Sequence, residues 1–155
     1  VSLKLLAIYR ISYNKKGFIL TKIITQQEYY SVQDCMNNPN RLYVFGDNVV
    51  NHGKGGQAII RDCPNTFGIP TKMFPSITIE SYFMDTPESF DYVDTKFIEL
   101  YNIFKSNKYE VIIFPKDGLG TGLARMPQYS PKLFNHMCES IKSHFGLEMN
   151  EKGFK

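Results

Sequence analysis

The chain has 155 residues, 43% of them apolar with 12 Phe and 10 Tyr, which is the size and composition of one domain with one substantial core. Its 18 basic and 15 acidic residues are interleaved and leave a net charge of +3, too little to argue for nucleic acid on charge alone. Apolar runs such as Val111 to Phe114 fall far short of the roughly 20 residues that cross a bilayer, and no charged-then-apolar leader precedes a small-residue cleavage site, so neither a membrane span nor a signal peptide is expected.

Residues 3–13 and 18–25, rich in Leu, Ile and Tyr, are predicted as two strands joined by the turn Asn14-Lys15-Lys16-Gly17. A short helix from Gln27 to Met36 follows. Arg41 to Phe45 is a buried strand closed by Gly46-Asp47-Asn48, Gly56 to Arg61 starts a helix, and Thr66 to Pro70 returns as a short strand. Lys72 to Asp85 has no clear period and reads as a strand plus a ligand-covering loop. Thr86-Pro87 is a helix start, with Thr as the cap and Pro at the first position. Phe90, Val93, Phe97, Leu100, Tyr101 and Phe104 then recur at spacings of three and four, an amphipathic helix. Tyr109 to Phe114 has the continuous apolar run of a central parallel strand. Ser130-Pro131 repeats the capped start, Leu133, Phe134, Met137, Ile141 and Phe145 form one stripe, and Gly146 stops that helix.

The order implies a single α/β domain over residues 1–155, with a mainly parallel sheet and helices on its faces. Within it, residues 1–40 form an N-terminal hairpin and helix, 41–146 a ligand-binding core, and 147–155 a tail. Cys35, Cys63 and Cys138 make neither a disulfide framework nor metal spacing, and His52, His136 and His144 add no ligand pair. A cytoplasmic setting without metal or cofactor is therefore expected.

Two glycine-rich loops leave the carboxyl ends of the two most apolar strands, where ligands of parallel sheets bind. The first runs from Gly46 to Ala58 and contains Asp47, Asn48, Gly53, Gly55, Gly56 and Gln57. Its glycines permit close backbone approach, and a following helix would present unpaired N–H groups to an anion. Asp47 and Asn48 stand where a polar side chain meets a ribose or a base. The second loop, Pro115 to Met126, alternates Gly118, Gly120 and Gly122, with Thr121 and Arg125 as additional donors. Neither GxxxxGK[ST] nor GxGxxG occurs. Among the aromatics, Phe67, Phe74 and Phe83 are candidates to stack on a purine, while Tyr82-Phe83 and the N-terminal hairpin are candidates to meet a partner chain, the reading as a non-catalytic interaction domain.

The segments VFGDNVVNHGKGGQAII and VIIFPKDGLGTGLARM, the latter followed by SPKLFNHMCESIKSHF, resemble the two signatures of the macrodomain family, nearest to its terminal ADP-ribose glycohydrolase branch. They are also similar to those of small phage-type proteins with the same pair of loops. The resemblance covers roughly residues 41–146 and implies a three-layer α/β/α fold with a mixed, mostly parallel sheet. It implies binding of ADP-ribose or a related nucleotide, including a cyclic signalling one, by a reader of ADP-ribosylated macromolecules or a sequestering protein, the latter in viral counter-defence. By position, Asp47 and Asn48 would lie near the distal ribose or base. Gly53, Gly55, Gly56 and Gln57 would line the distal ribose and pyrophosphate, and Gly118, Gly120, Thr121 and Gly122 would wrap the phosphates. The glycohydrolase branch has a catalytic lysine that Lys72 matches, but Ala124 stands where its acid belongs, and Asp117 is the nearby carboxylate. That departure favours binding over removal of ADP-ribose from protein or nucleic acid, for which Lys72 and Asp117 are the catalytic candidates.

Overall fold

The computed structural model describes residues 8–13 and 19–155, with side chains from Ile24 onward. The protein is α/β. Strands β1 (Ile8–Tyr13), β2 (Ile19–Gln27), β3 (Arg41–Asn48), β4 (Thr66–Lys72) and β5 (Val111–Pro115) form one sheet in the order β1-β2-β5-β3-β4. β2, β5, β3 and β4 run parallel, and β1 is antiparallel at the edge. The expected hairpin is thus present in its strands, while its turn and residues 3–7 lie outside the described residues.

Alternation along the central strands sorts the core into two faces. Leu42 and Val44 of β3, with Ile112 and Phe114 of β5, pack with Val93, Phe97 and Leu100 of α2 (Pro87–Lys105) and with the stripe of α4 (Pro131–Phe145). All five residues of that stripe are buried, each contributing about 2 kcal/mol of burial free energy. On the opposite face Tyr43, Phe45 and Ile113 form a smaller cluster with Cys35 of α1 (Val32–Asn37) and with Ala58, Ile60 and Cys63. Helices therefore cover both faces.

The helix starts follow the sequence chemistry with one exchange of partner. Thr86 caps α2, its hydroxyl accepting from Ser89 N. Ser130 makes no capping bond with its side chain; instead the Asp85 carboxylate accepts from Lys132 N at 3.2 Å and Leu133 N at 2.9 Å. Gly146 ends α4 at φ 74°.

Five expectations are corrected. β3 continues through Gly46-Asp47-Asn48, because these residues pair with Ile69, Pro70 and Lys72 of β4. Gly56 to Arg61 is no α-helix but a five-residue 3-10 turn, Gly56–Ile60. A run this short, followed by Cys63-Pro64, cannot offset helix nucleation. α1 starts only at Val32, since Gln27 is still in β2. Residues 147–155 are a small hairpin, β6 (Met149–Asn150) and β7 (Gly153–Phe154), with Leu147, Met149 and Phe154 in the large core. Tyr82 and Phe83 are 6% and 1% exposed, so they are core rather than a partner surface. Among the described residues no helix is long and apolar enough to cross a membrane.

Candidate functional site

The connections decide where a ligand fits. β3 leads into the 3-10 turn on the small-core face, whereas β5 leads through α3 (Met126–Tyr129) into α4 on the large-core face. Neighbouring strands whose loops depart to opposite faces leave a crevice at their carboxyl ends. β3 and β5 are registered only from Arg41↔Val111 to Tyr43↔Ile113 and then separate. The Tyr30 hydroxyl sits in the gap, 2.6 Å from Val44 O and 3.1 Å from Ile113 O. Burial and its neighbours Cys35 and Tyr43 raise its pKa well above the ordinary tyrosine value, so it stays protonated and donates.

Above that gap lies a cleft of about 1000 Å³, walled by the two glycine loops, by the 75–77 segment and by Tyr29. Asp47, Asn48, Gly53, Gly55, Gly56, Gln57, Lys72, Asp117, Gly118, Gly120, Thr121 and Gly122 all line it. Arg125 does not. A smaller cavity of about 460 Å³ lies behind the first loop, between β4 and α2. Glu88 and Asp91 in its wall make it a poor place for an anion.

The polar side chains of the first loop are committed inward. Asp47 forms a two-pronged pair with Arg61, at 2.6 Å and 2.8 Å, with side chains 6% and 14% exposed. Arg61 also donates to Gly53 O at 2.8 Å and His52 O at 3.2 Å, fastening the loop. Gly68 is glycine because a Cβ there would lie 2.6 Å from the Asp47 carboxylate. Asn48 donates to His52 O at 2.7 Å and accepts from His52 N at 3.2 Å. Gln57 clasps both loops: its carbonyl accepts from Gly46 N at 2.8 Å and its amide donates to Gly118 O at 2.9 Å. Asp47, Asn48 and Gln57 therefore shape the cleft and do not offer free groups to a ribose or base.

In the second loop the Thr121 hydroxyl donates to Asp117 O, so it too is internal. Gly118 and Gly120 have φ of 95° and 78°, and a Cβ on Gly120 would lie 2.3 Å from Met126 Sδ. The C-terminal hairpin braces this loop, with Phe154 N donating to Lys116 O at 2.9 Å. Gly55 and Gly122 differ. Neither has a positive φ, and a Cβ on either would meet nothing within 4 Å. The backbone would accept any residue there; a side chain would project into open space at the cleft.

Backbone donors remain. Among the described residues, the N–H groups of Gly55, Gly56 and Gln57 in one loop, and of Gly120, Thr121 and Gly122 in the other, have no protein acceptor. Two runs of three consecutive N–H groups on opposite walls suit an anion with several oxygens. The 3-10 turn has too few residues for a macrodipole, so these N–H groups act singly.

The side-chain charges of the lining nearly cancel. Glu28, Asp117 and Glu151 face Lys72 and Lys152 once Asp47 and Arg61 are paired. Lys72 donates to Ser76 O and sits 4.8 Å from the centre of the Tyr82 ring. Burial, then the charge of Arg125, lowers its pKa. Asp117 makes no contact with it, and Ala124 is buried and apolar. No group of three or more metal-ligating side chains occurs among the described residues.

Of the purine-stacking candidates, Phe83 is core, Phe67 packs against the large core, and Phe74 is 43% exposed. Sequence reasoning missed Arg61 and Tyr30, which act through partners remote in the chain, and the rim formed by Tyr29, Ile77 and Leu123. These three are 79%, 84% and 80% exposed, an unusual setting for large apolar groups. Nothing in their local sequence marks them.

No curated protein and no solved structure matches the chain. Residues 25–140 match the family of unknown function DUF7831; the match spans more than half of the chain and takes in both glycine loops, and the protein belongs to that family.

Proposed function

We propose that the protein binds a phosphate-bearing nucleotide of the ADP-ribose class in the cleft between its glycine loops, as a reader or a sequestering protein. The observation that carries this reading is the pair of N–H runs in the two loops that line the cleft, Gly55 to Gln57 and Gly120 to Gly122, none with a protein acceptor among the described residues. Four further features support it. The cleft sits where the loops of adjacent parallel strands part. Gly55 and Gly122 leave space that any side chain would fill. The glycine patterns resemble those of macrodomains, a fold compatible with the mostly parallel sheet. The exposed Tyr29 ring lines the cleft, where it would stack on a base.

Binding is favoured over hydrolysis because Lys72 has no acid beside it: its amine contacts a carbonyl and a tyrosine ring. A lysine of lowered pKa is the one feature on the side of catalysis.

Calorimetric titration with ADP-ribose, cyclic ADP-ribose, NAD and ATP, with chromatography of each mixture, tests both readings. Binding without turnover is expected. Gly55→Glu and Gly122→Glu should each abolish it in a folded protein, since neither position is strained. Undiminished affinity in both variants, or no binding of any of the four nucleotides by the native chain, would refute the assignment.

A further inference from the structure

The second cavity, about 460 Å³ between β4 and α2, is a groove along an open sheet edge. β4 is the last strand of the sheet, and among the described residues only its final one is bridged on the outer side, Lys72 to Tyr82. The direction of the other main-chain groups follows from one bond. Tyr43 N donates to Asn65 O at 3.0 Å, so Asn65 O faces β3, and alternation turns the groups of Phe67 and Ile69 the same way. Those of Gly68 and Pro70 point outward, and both residues line the groove. Among the described residues, Gly68 N–H, Gly68 C=O and Pro70 C=O have no protein partner. A proline fits an outward position of an edge strand, where no ladder bond needs its missing N–H.

The opposite wall is one stripe of α2. Glu88, Asp91, Tyr92, Thr95 and Lys96, spaced three and four apart, all line the groove. As the crossover between the parallel strands β4 and β5, α2 runs back along the sheet, with Lys96 Nζ 5.5 Å from the Phe67 ring centre. The acidic end of the stripe therefore lies toward Pro70. Lys96 is paired with Glu99, but neither Glu88 nor Asp91 has a cation partner among the described residues. Glu88 accepts only from the Tyr92 hydroxyl, at 3.3 Å, and Asp91 makes no hydrogen bond.

We propose that this groove docks an extended basic peptide segment of a partner protein, which adds to β4 as a further strand and sets a Lys or Arg side chain against Glu88 and Asp91. An open strand edge templates another extended chain, and free carboxylates beside it select for cations. A second copy of this chain fits less well, since its own β4 brings Pro70, which has no N–H to donate, and its own acidic stripe. The inference does not rest on nucleotide binding: the groove lies behind the first glycine loop, and only Asn48 is common to its lining and that of the cleft.

The test titrates the native chain with two acetylated hexapeptides, one alternating Lys with Val and one alternating Glu with Val, while amide exchange is followed by NMR. In the free chain the Gly68 amide should exchange faster than those of Phe67 and Ile69, which bond to β3. The Lys peptide should bind about tenfold more tightly than the Glu peptide and should slow exchange at Gly68, and N-methylation of its backbone should abolish binding. The double substitution Glu88→Gln with Asp91→Asn should weaken the Lys peptide about tenfold at unchanged Tm, both residues being exposed. No binding of the Lys peptide, equal binding of the two peptides, or binding that leaves Gly68 unprotected would overturn the proposal. So would undiminished affinity in the double variant. Protection of Gly68 that grows with protein concentration, together with a dimer in sedimentation, would assign the edge to a second copy and overturn it as well.

Discussion

The two glycine loops face each other across one cleft, yet they are held by different means. The first is anchored by polar side chains: the Asp47–Arg61 pair, the Asn48 bonds to His52 and the Gln57 clasp. It stands on the small core, with Cys35, Tyr43, Ala58 and Cys63 beneath it. The second is anchored by packing, with Leu119, Ala124 and Met126 in the large core and the C-terminal hairpin behind. The difference teaches that glycine has two meanings here. At Gly118 and Gly120 it satisfies backbone geometry and close contact, while at Gly55 and Gly122 it leaves a space empty.

Substitutions separate these meanings. Gly120→Ala should cost about 2–4 kcal/mol, combining a left-handed non-glycine residue with displacement of the buried Met126, as measured by denaturant unfolding. Gly122→Ala, two residues away, should stay within about 0.5 kcal/mol of the native chain. Equal costs at the two positions would break the distinction.

Gln57→Ala should cost about 1–2 kcal/mol, because it removes two bonds and leaves Gly46 N and Gly118 O unpaired. Hydrogen exchange should rise in both loops at once, since the clasp joins them. Faster exchange confined to the first loop would show that packing alone holds the second.

Alkaline pH supplies the gentlest contrast. Burial pushes the Cys35 thiol from 9.0 up to about 12 and the Tyr43 phenol from 10.0 up to about 12. A raised pKa means the folded state keeps protons that the unfolded chain releases. The corresponding stability is complete below pH 9.0 and is lost as pH climbs toward about 12. Both groups lie in the small core, so the first loop should loosen before the second, read by hydrogen exchange against pH. Cys35→Ala should delay the onset to the range where Tyr43 titrates.

How much of this was legible varies with the range of the interaction. The α2 and α4 stripes, the Thr86-Pro87 start, the β5 run and the glycine loops at strand ends all follow from residues within a few positions of one another. They were readable because helix period, caps and apolar runs are local properties of the chain. The short turn at Gly56–Ile60 is not legible, because its pattern is too brief to separate an α-helix from a 3-10 turn.

The sequence by itself thus determined the α/β class, the elements of the C-terminal half and the position of two phosphate-type loops. Tertiary structure alone decided which side chains those loops leave free. Asp47 is neutralised by Arg61, Gln57 is taken up by hydrogen bonds with Gly46 N and with Gly118 O, 61 residues away, and the helix cap expected of Ser130 comes from Asp85. Each of these pairings depends on how the strands cross over, and a buried polar group takes whatever partner the crossover brings within reach. The same crossover parts β3 from β5, so the cleft itself is a product of topology that no local pattern encodes.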